Sequence, residues 1–141
     1  MADPYDLERF VTAQKPVYER VLRELRAGDK ETHWMWFVFP QVAGLGRSPT
    51  AVRYAISSLD EAKAYLVHPI LGARLRECAR LVLDVEGRTA RDIFGSVDEM
   101  KFRSSMSLFM QAAPDEPLFA RCLEKYFGGR PDPATLEKLS R

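Results

Sequence analysis

Apolar positions recur along this chain at helical spacing, in short stripes separated by polar, well-punctuated joints. Leu7, Phe10, Val11 and Gln14 share one helix face, opened by Asp3-Pro4. A second helix begins near Pro16, buries Val17, Val21, Leu22 and Leu25, and ends at Gly28; Glu19 and Arg23 stand at ion-pair spacing on its outer side. Ser58 and Glu61 have capping-box spacing before a helix over 59–66. His68-Pro69 introduces the clearest helix, in which Leu71, Leu75, Cys78, Val82 and Val85 form the inner face and Arg80 and Asp84 the wet one. Thr89 caps a short helix ending at Gly95, and Ser96 with Glu99 offers a capping box for a helix running to about Ala113. Residues 117–127 turn Leu118, Phe119, Cys122, Leu123 and Tyr126 inward before Gly128-Gly129, and Asp132-Pro133 caps a last short helix.

The run from His33 to Gln41 is apolar on every side, hence buried as helix or as strand, and its periodicity does not separate the two. Pro40 stops any helix by Phe39. Gly44-Leu45-Gly46 reads as a loop, after which Ser48-Pro49 opens a short helix carrying Val52, Tyr54, Ala55 and Ile56. Nothing resembles an internal repeat, a low-complexity tract or an interdomain linker. The expectation is a mainly α fold, a compact single-domain bundle of many short helices over residues 1–141.

Composition narrows the function classes. A chain of 141 residues buries enough surface to fold without a disulfide or metal staple. The net charge of +1 carries no basic excess for a nucleic-acid partner. Cys78 and Cys122 lack CxxC spacing and read as buried, reduced thiols. No signal peptide is visible, and no apolar stretch approaches the roughly 20 residues of a membrane helix, so a cytoplasmic protein with no membrane association is expected. His33 and His68, far apart and without clustered Cys or acidic partners, imply no metal; neither HExxH nor an EF-hand loop is present, and no cofactor is implied.

Candidate chemistry sits where the pattern breaks its own rule. At about 100° per residue, the helix after Ser96 gathers Val97, Phe102, Met106, Leu108, Phe109, Ala112 and Ala113 on one arc, and Asp98, Lys101 and Ser105 fall inside it. Either Asp98 supports the helix N-terminus while Lys101 snorkels to the edge, or these groups line a cavity. The loop ending Gly46-Arg47-Ser48 is a second candidate: its glycines admit a close backbone approach and its N–H groups, with Arg47 and the Ser48 hydroxyl, suit a phosphate or carboxylate, unless it is an ordinary turn and cap. It lacks the P-loop ending and the dinucleotide GxGxxG. His33 is a proton-transfer candidate, His68 reads as the cap of its helix, Trp36 or Tyr54 can stack on a ring, and Gln41 can read an amide or hydroxyl edge. A nucleophile triad of Ser104 or Ser105 with a histidine and Asp98 has no GxSxG elbow behind it.

The segments DPYDLERFVTAQ, THWMWFVFPQVAGLGRSPTAVRYAI, EAKAYLVHPILGARLREC and IFGSVDEMKFRSSMSLF together resemble family 1810 of the domain-of-unknown-function series, from about Asp3 to Leu139. The elements HWxWFxFPQ, GLGxS, YLxHPxLGxRL and DxxKxxSSMxLF carry the likeness, with Ser107 where many relatives have Thr. The resemblance implies a helical single domain and no established activity. Members are sometimes labelled calpastatin, although calpastatins are disordered inhibitors and this sequence is patterned for a core. A more distant likeness is to the YbiA-like (NADAR) domains, linked to N-glycosidic bond cleavage; it rests on the early His-aromatic segment, an LGR element and Lys101-Phe102, and Thr32 stands where those proteins carry an acidic residue before the histidine.

Two functions follow as expectations. In the first, the chain binds or hydrolyses a small phosphorylated, nucleotide- or ADP-ribose-like compound. His33, Asp98 and Lys101 carry the chemistry, and Trp36, Gln41, Gly46, Arg47, Ser48, Tyr54 and Ser105 hold the ligand. In the second, it is a protein-interaction module without chemistry. Oligomeric state is left open.

Overall fold

The computed structural model describes residues 3–140. Among them are ten helices in chain order: α1 (Glu8–Gln14), α2 (Tyr18–Arg26), α3 (Met35–Val38), α4 (Pro49–Arg53), α5 (Leu59–Val67), α6 (Leu71–Asp84), α7 (Ala90–Phe94), α8 (Asp98–Ala112), α9 (Pro117–Phe127) and α10 (Pro133–Leu139). The aromatic run is thus a single helical turn, and among the described residues the one pairing of extended backbone is an isolated parallel bridge between Val42 and Ile56. The mainly α expectation holds, and one hydrophobic cluster spans the bundle.

Helix α8 is the axis on which the rest is laid. It packs against α5, α7, α9 and α10, and more lightly against α3, so nearly every face from Phe102 to Phe109 is covered. Phe102 anchors an aromatic group, stacked on Phe94 at 4.8 Å and edge-on to Phe39 at 5.0 Å. A helix buried all round must satisfy its polar side chains internally. Ser104 donates to Asp132 Oδ2 at 2.8 Å, Ser107 accepts from the Asp132 backbone N–H at 2.8 Å, and Thr135 donates to the same carboxylate at 2.6 Å. These bonds latch α10 to α8 and account for two of the three hydroxyls in the SSMS stretch.

Several joints follow the sequence and others do not: Asp132 stands at the N-cap of α10, but its carboxylate accepts from the Ser104 and Thr135 hydroxyls and from no backbone N–H of the helix. Ser48, Ser58 and Thr89 each accept from the backbone N–H three residues on, His68 Nδ1 accepts from the N–H groups of Ile70 and Leu71, and the Asp3 carboxylate accepts from those of Leu7 and Glu8. Ser96 does not cap α8: its N-cap is Val97, which has no side-chain acceptor, and Glu99 pairs with Arg91 at 3.0 Å instead. Val97, expected inside, is 68% exposed because α8 enters the core only after its first turn. Glu19 and Arg23 are exposed and form no ion pair. At the joint of α5 and α6, a Cβ on Gly72 would lie 2.1 Å from the Leu66 carbonyl oxygen, so only glycine fits.

The segment between α2 and α3 has almost no regular structure, and a buried carboxylate holds it. Glu24 accepts from the backbone N–H groups of Glu31 (2.8 Å) and Thr32 (3.1 Å), from the Thr32 hydroxyl (2.7 Å) and from the Trp34 indole N–H (2.9 Å). Burial by itself would raise the Glu24 carboxyl, but these donors outweigh it and bring its pKa down to about 2. Glu24→Gln leaves several donors poorly matched and is expected to cost about 2–3 kcal/mol in urea unfolding at pH 7. Because the folded pKa is depressed, this stabilisation is present above the unfolded carboxyl value and fades as pH falls from there toward about 2. The gap between wild type and Glu24→Gln should narrow over that range, and a gap independent of pH would contradict this account.

Candidate functional site

Two lysines converge on one aspartate at the start of α8. Lys30 Nζ lies 2.8 Å from Asp98 Oδ2, and Lys101 Nζ lies 3.7 Å from Asp98 Oδ1. Each ammonium also faces an indole: Lys30 sits 5.1 Å from the Trp34 ring centroid and Lys101 5.0 Å from that of Trp36. The side chains differ in freedom. The Lys30 side chain is 7% exposed, and its backbone N–H donates to the Ile93 carbonyl at 2.7 Å, whereas the Lys101 side chain is 22% exposed. Lys101 and Asp98 therefore lie on the side of α8 that meets the tryptophan segment, and both are partly reachable from solvent.

Trp36 belongs to a second feature. With Gln41, Val42, Gly46, Ala51, Tyr54 and Ala55 it lines a recess of about 10 Å³, roughly the room one water needs. Tyr54 is set in its wall by Phe37 at 5.3 Å and Phe10 at 5.8 Å. The backbone beside it is clamped by the Arg9 guanidinium, which donates to the carbonyls of Arg53 and Ala55, both at 2.9 Å, and pairs with Glu61 at 3.0 Å. Gln41 gives its main-chain carbonyl to the Ile56 N–H at 2.9 Å, while the side-chain amide of this half-buried residue makes no hydrogen bond among the described residues. Gly46 is forced by contact: a Cβ there would stand 2.5 Å from the Ala51 Cβ.

Of the residues picked from sequence, Asp98, Lys101 and Trp36 meet directly, and Gln41, Gly46 and Tyr54 join them through Trp36. Ser105 lies one turn beyond Lys101 on the same side of α8, fully buried, and its hydroxyl is the buried side-chain group without a hydrogen-bond partner among the described residues. His33, Arg47 and Ser48 stay outside this group. His33 is exposed and pairs with neither Asp98 nor Lys101, Arg47 is exposed, and the Ser48 hydroxyl is used as the cap of α4, accepting from Ala51 N–H at 3.1 Å. Sequence reading missed Lys30 and Glu24. Lys30, in a polar joint after Gly28, has the look of a solvated charge, and only the fold shows it covered.

Roomier hollows lie elsewhere. One of about 610 Å³ runs beside Glu8, Val11, Thr12, Lys15 and Pro16, and one of about 300 Å³ lies between Arg20, Arg23, Asp29 and Glu31. Both are open, and the residues named are exposed or half-buried; the one buried polar group nearby, Glu24, is already satisfied. Among the described residues no three His, Cys, Asp or Glu side chains cluster as a metal site would require, and no helix is long and apolar enough to cross a membrane.

Comparison with known proteins gives kinship without an activity. The profile of a family described as protein of unknown function, DUF1810, matches residues 4–139. The crystal structure of the conserved hypothetical protein Rv1873 from Mycobacterium tuberculosis is similar over 99% of both chains, at 56% identity and a TM-score of 0.97. No curated protein matches.

The recess wall can be tested by itself. Gly46→Ala drives a methyl group against Ala51 and is expected to destabilise by about 1–3 kcal/mol, with displacement of the 44–48 loop visible as shifted amide resonances for Trp36, Tyr54 and Ala55. Unchanged stability and spectra would show that the contact between Gly46 and α4 is not tight.

Proposed function

We propose that this chain, which belongs to the DUF1810 family of proteins of unknown function, binds a compact anionic metabolite bearing a planar ring, a nucleotide-like compound, where α3, α8 and residues 41–54 meet. One observation carries the reading: Trp36 is at once the face on which the Lys101 ammonium rests and a wall of the recess formed with Gln41, Gly46 and Tyr54. A cation, an aromatic plane and a free amide thus share one spot, the combination that recognises a charged group attached to a ring. Lys101 takes the anion, Trp36 and Tyr54 flank the ring, and Gln41 reads its polar edge.

The recess as it stands admits about one water. Ring entry therefore requires the loop at 43–48 to retreat, and that loop carries Gly44 and Gly46 and is exposed at Ala43, Gly44, Arg47 and Ser48. In a hydrolytic version of the reading, N-glycosidase-like, Asp98 would stabilise positive charge developing at a sugar carbon. That role needs the carboxylate released from both lysines, whereas binding needs only Lys101 to turn, so binding is the version the geometry supports.

Thermal unfolding in the presence of ribonucleoside mono- and diphosphates and of ADP-ribose tests this. At a concentration about a hundred times Kd, a true ligand adds about 2.7 kcal/mol, a rise of several degrees in Tm. Lys101→Ala and Trp36→Ala should each weaken binding about tenfold or more. No shift with any compound, or a shift that survives both substitutions, would overturn the proposal.

A further inference from the structure

We infer that the anion accepted beside Lys101 carries a single negative charge, and that Lys30 is the fixed cation that keeps Asp98 engaged while Lys101 turns to the ligand; this rests on the binding reading above. At ion-pair range the charges around Asp98 do not balance. Lys30 and Lys101 face one carboxylate, so the cluster is left with one uncompensated positive charge. Among the described residues no other carboxylate pairs with either lysine: Glu24, itself ionised, is turned to the neutral donors of Trp34, Thr32 and the Glu31 backbone, Glu99 pairs with Arg91, and Asp29 and Glu31 are exposed.

The two contacts to Asp98 are unequal in a way that assigns the moving part. At 2.8 Å and almost fully covered, the Lys30 ammonium is hydrogen-bonded, with Trp34 beneath it fastened to Glu24. At 3.7 Å, Lys101 is beyond hydrogen-bond length and partly in solvent. An incoming anion can draw Lys101 away without breaking a hydrogen bond, and Lys30 continues to neutralise Asp98. One added negative charge then balances the site. A second would stand uncompensated next to the Asp98 carboxylate in a partly desolvated place, where like charges repel strongly. The ligand group is therefore a phosphodiester, a bridging phosphate or a carboxylate, in preference to a terminal phosphate.

Calorimetric titration with the four ribonucleoside 5′-monophosphates, each as the free monoester and as its methyl diester, isolates this variable, since at pH 8 the pair differs by about one charge on the same ring and sugar. The wild type is expected to bind a diester about tenfold more tightly than the matching monoester. Asp98→Asn, which adds one positive charge, should reverse that preference, and Lys30→Met, which removes one, should weaken diester binding about tenfold. A wild type that prefers monoesters, or a preference unmoved by Asp98→Asn, overturns the inference and leaves the binding reading standing. Absence of binding by all eight compounds and by ADP-ribose removes both. The wild-type comparison needs no variant and holds even if a substitution prevents folding.

Discussion

A helix wrapped by other helices has no water to give its polar groups, and this constraint on α8 organises the molecule. Each buried hydroxyl or charge on it must find a protein partner or cost on the order of a few kcal/mol. Ser104 and Ser107 reach the carbonyls of Met100 and Arg103 one turn back and also bond to Asp132 and its backbone N–H, which ties α10 to α8. Asp98 finds two lysines from different parts of the chain. Ser105, between the two sets, finds none. The satisfied groups on α8 have tasks within the fold; those left unbalanced, a hydroxyl without a partner and a cation in excess, lie along one side of it.

The same logic, applied from outside α8, fixes the segment that meets it. Residues 28–42 contain one turn of helix and little else to hold them. Glu24 secures the approach through Thr32 and Trp34, and Gln14 secures the far side, its amide donating to the Phe37 carbonyl at 2.6 Å. Trp36 sits between these anchors and is only half-buried. Buried polar contacts at a distance thus present one aromatic face to Lys101 without spending that face on packing.

Helices with simple periodicity are legible from the chain alone because one face of each meets the core: α6 and α9 bury the residues their spacing names except Val85, which lies past the end of α6, and Tyr126, both of which are half-buried. Local chemistry was legible too where it is local, as at Ser48, Ser58, His68 and Thr89. The start of α8 was misread for the same reason. Ser96 has a capping residue's identity, but the backbone enters the helix one residue later, and Val97 belongs by angle to a face that does not yet exist at that point. Asp98, Lys101 and Trp36 could be nominated because polar side chains on an apolar arc and an all-apolar run are visible anomalies. Lys30 could not, since a lysine in a polar loop is anomalous only once Trp34 and Asp98 close over it. Arg47 and Ser48 were nominated on loop chemistry that the short α4 helix uses for its own cap.

The lysine pair is more than Asp98 needs. One lysine suffices to satisfy Asp98, and Lys30 does so at hydrogen-bond distance from a nearly covered position. The second adds a like charge nearby, gains only a 3.7 Å contact, and gives up part of its hydration to lie on an indole. Lys101 could relax by swinging fully into water, since it is already partly exposed, but the Trp36 face retains it through an attraction that does not use up its hydrogen-bonding capacity. An ammonium kept oriented, short of hydrogen-bond partners and beside a ring-sized aromatic surface is preorganised for something that arrives from outside. That is the physical ground on which the α3–α8 junction, rather than the larger open hollows, is proposed as the binding site.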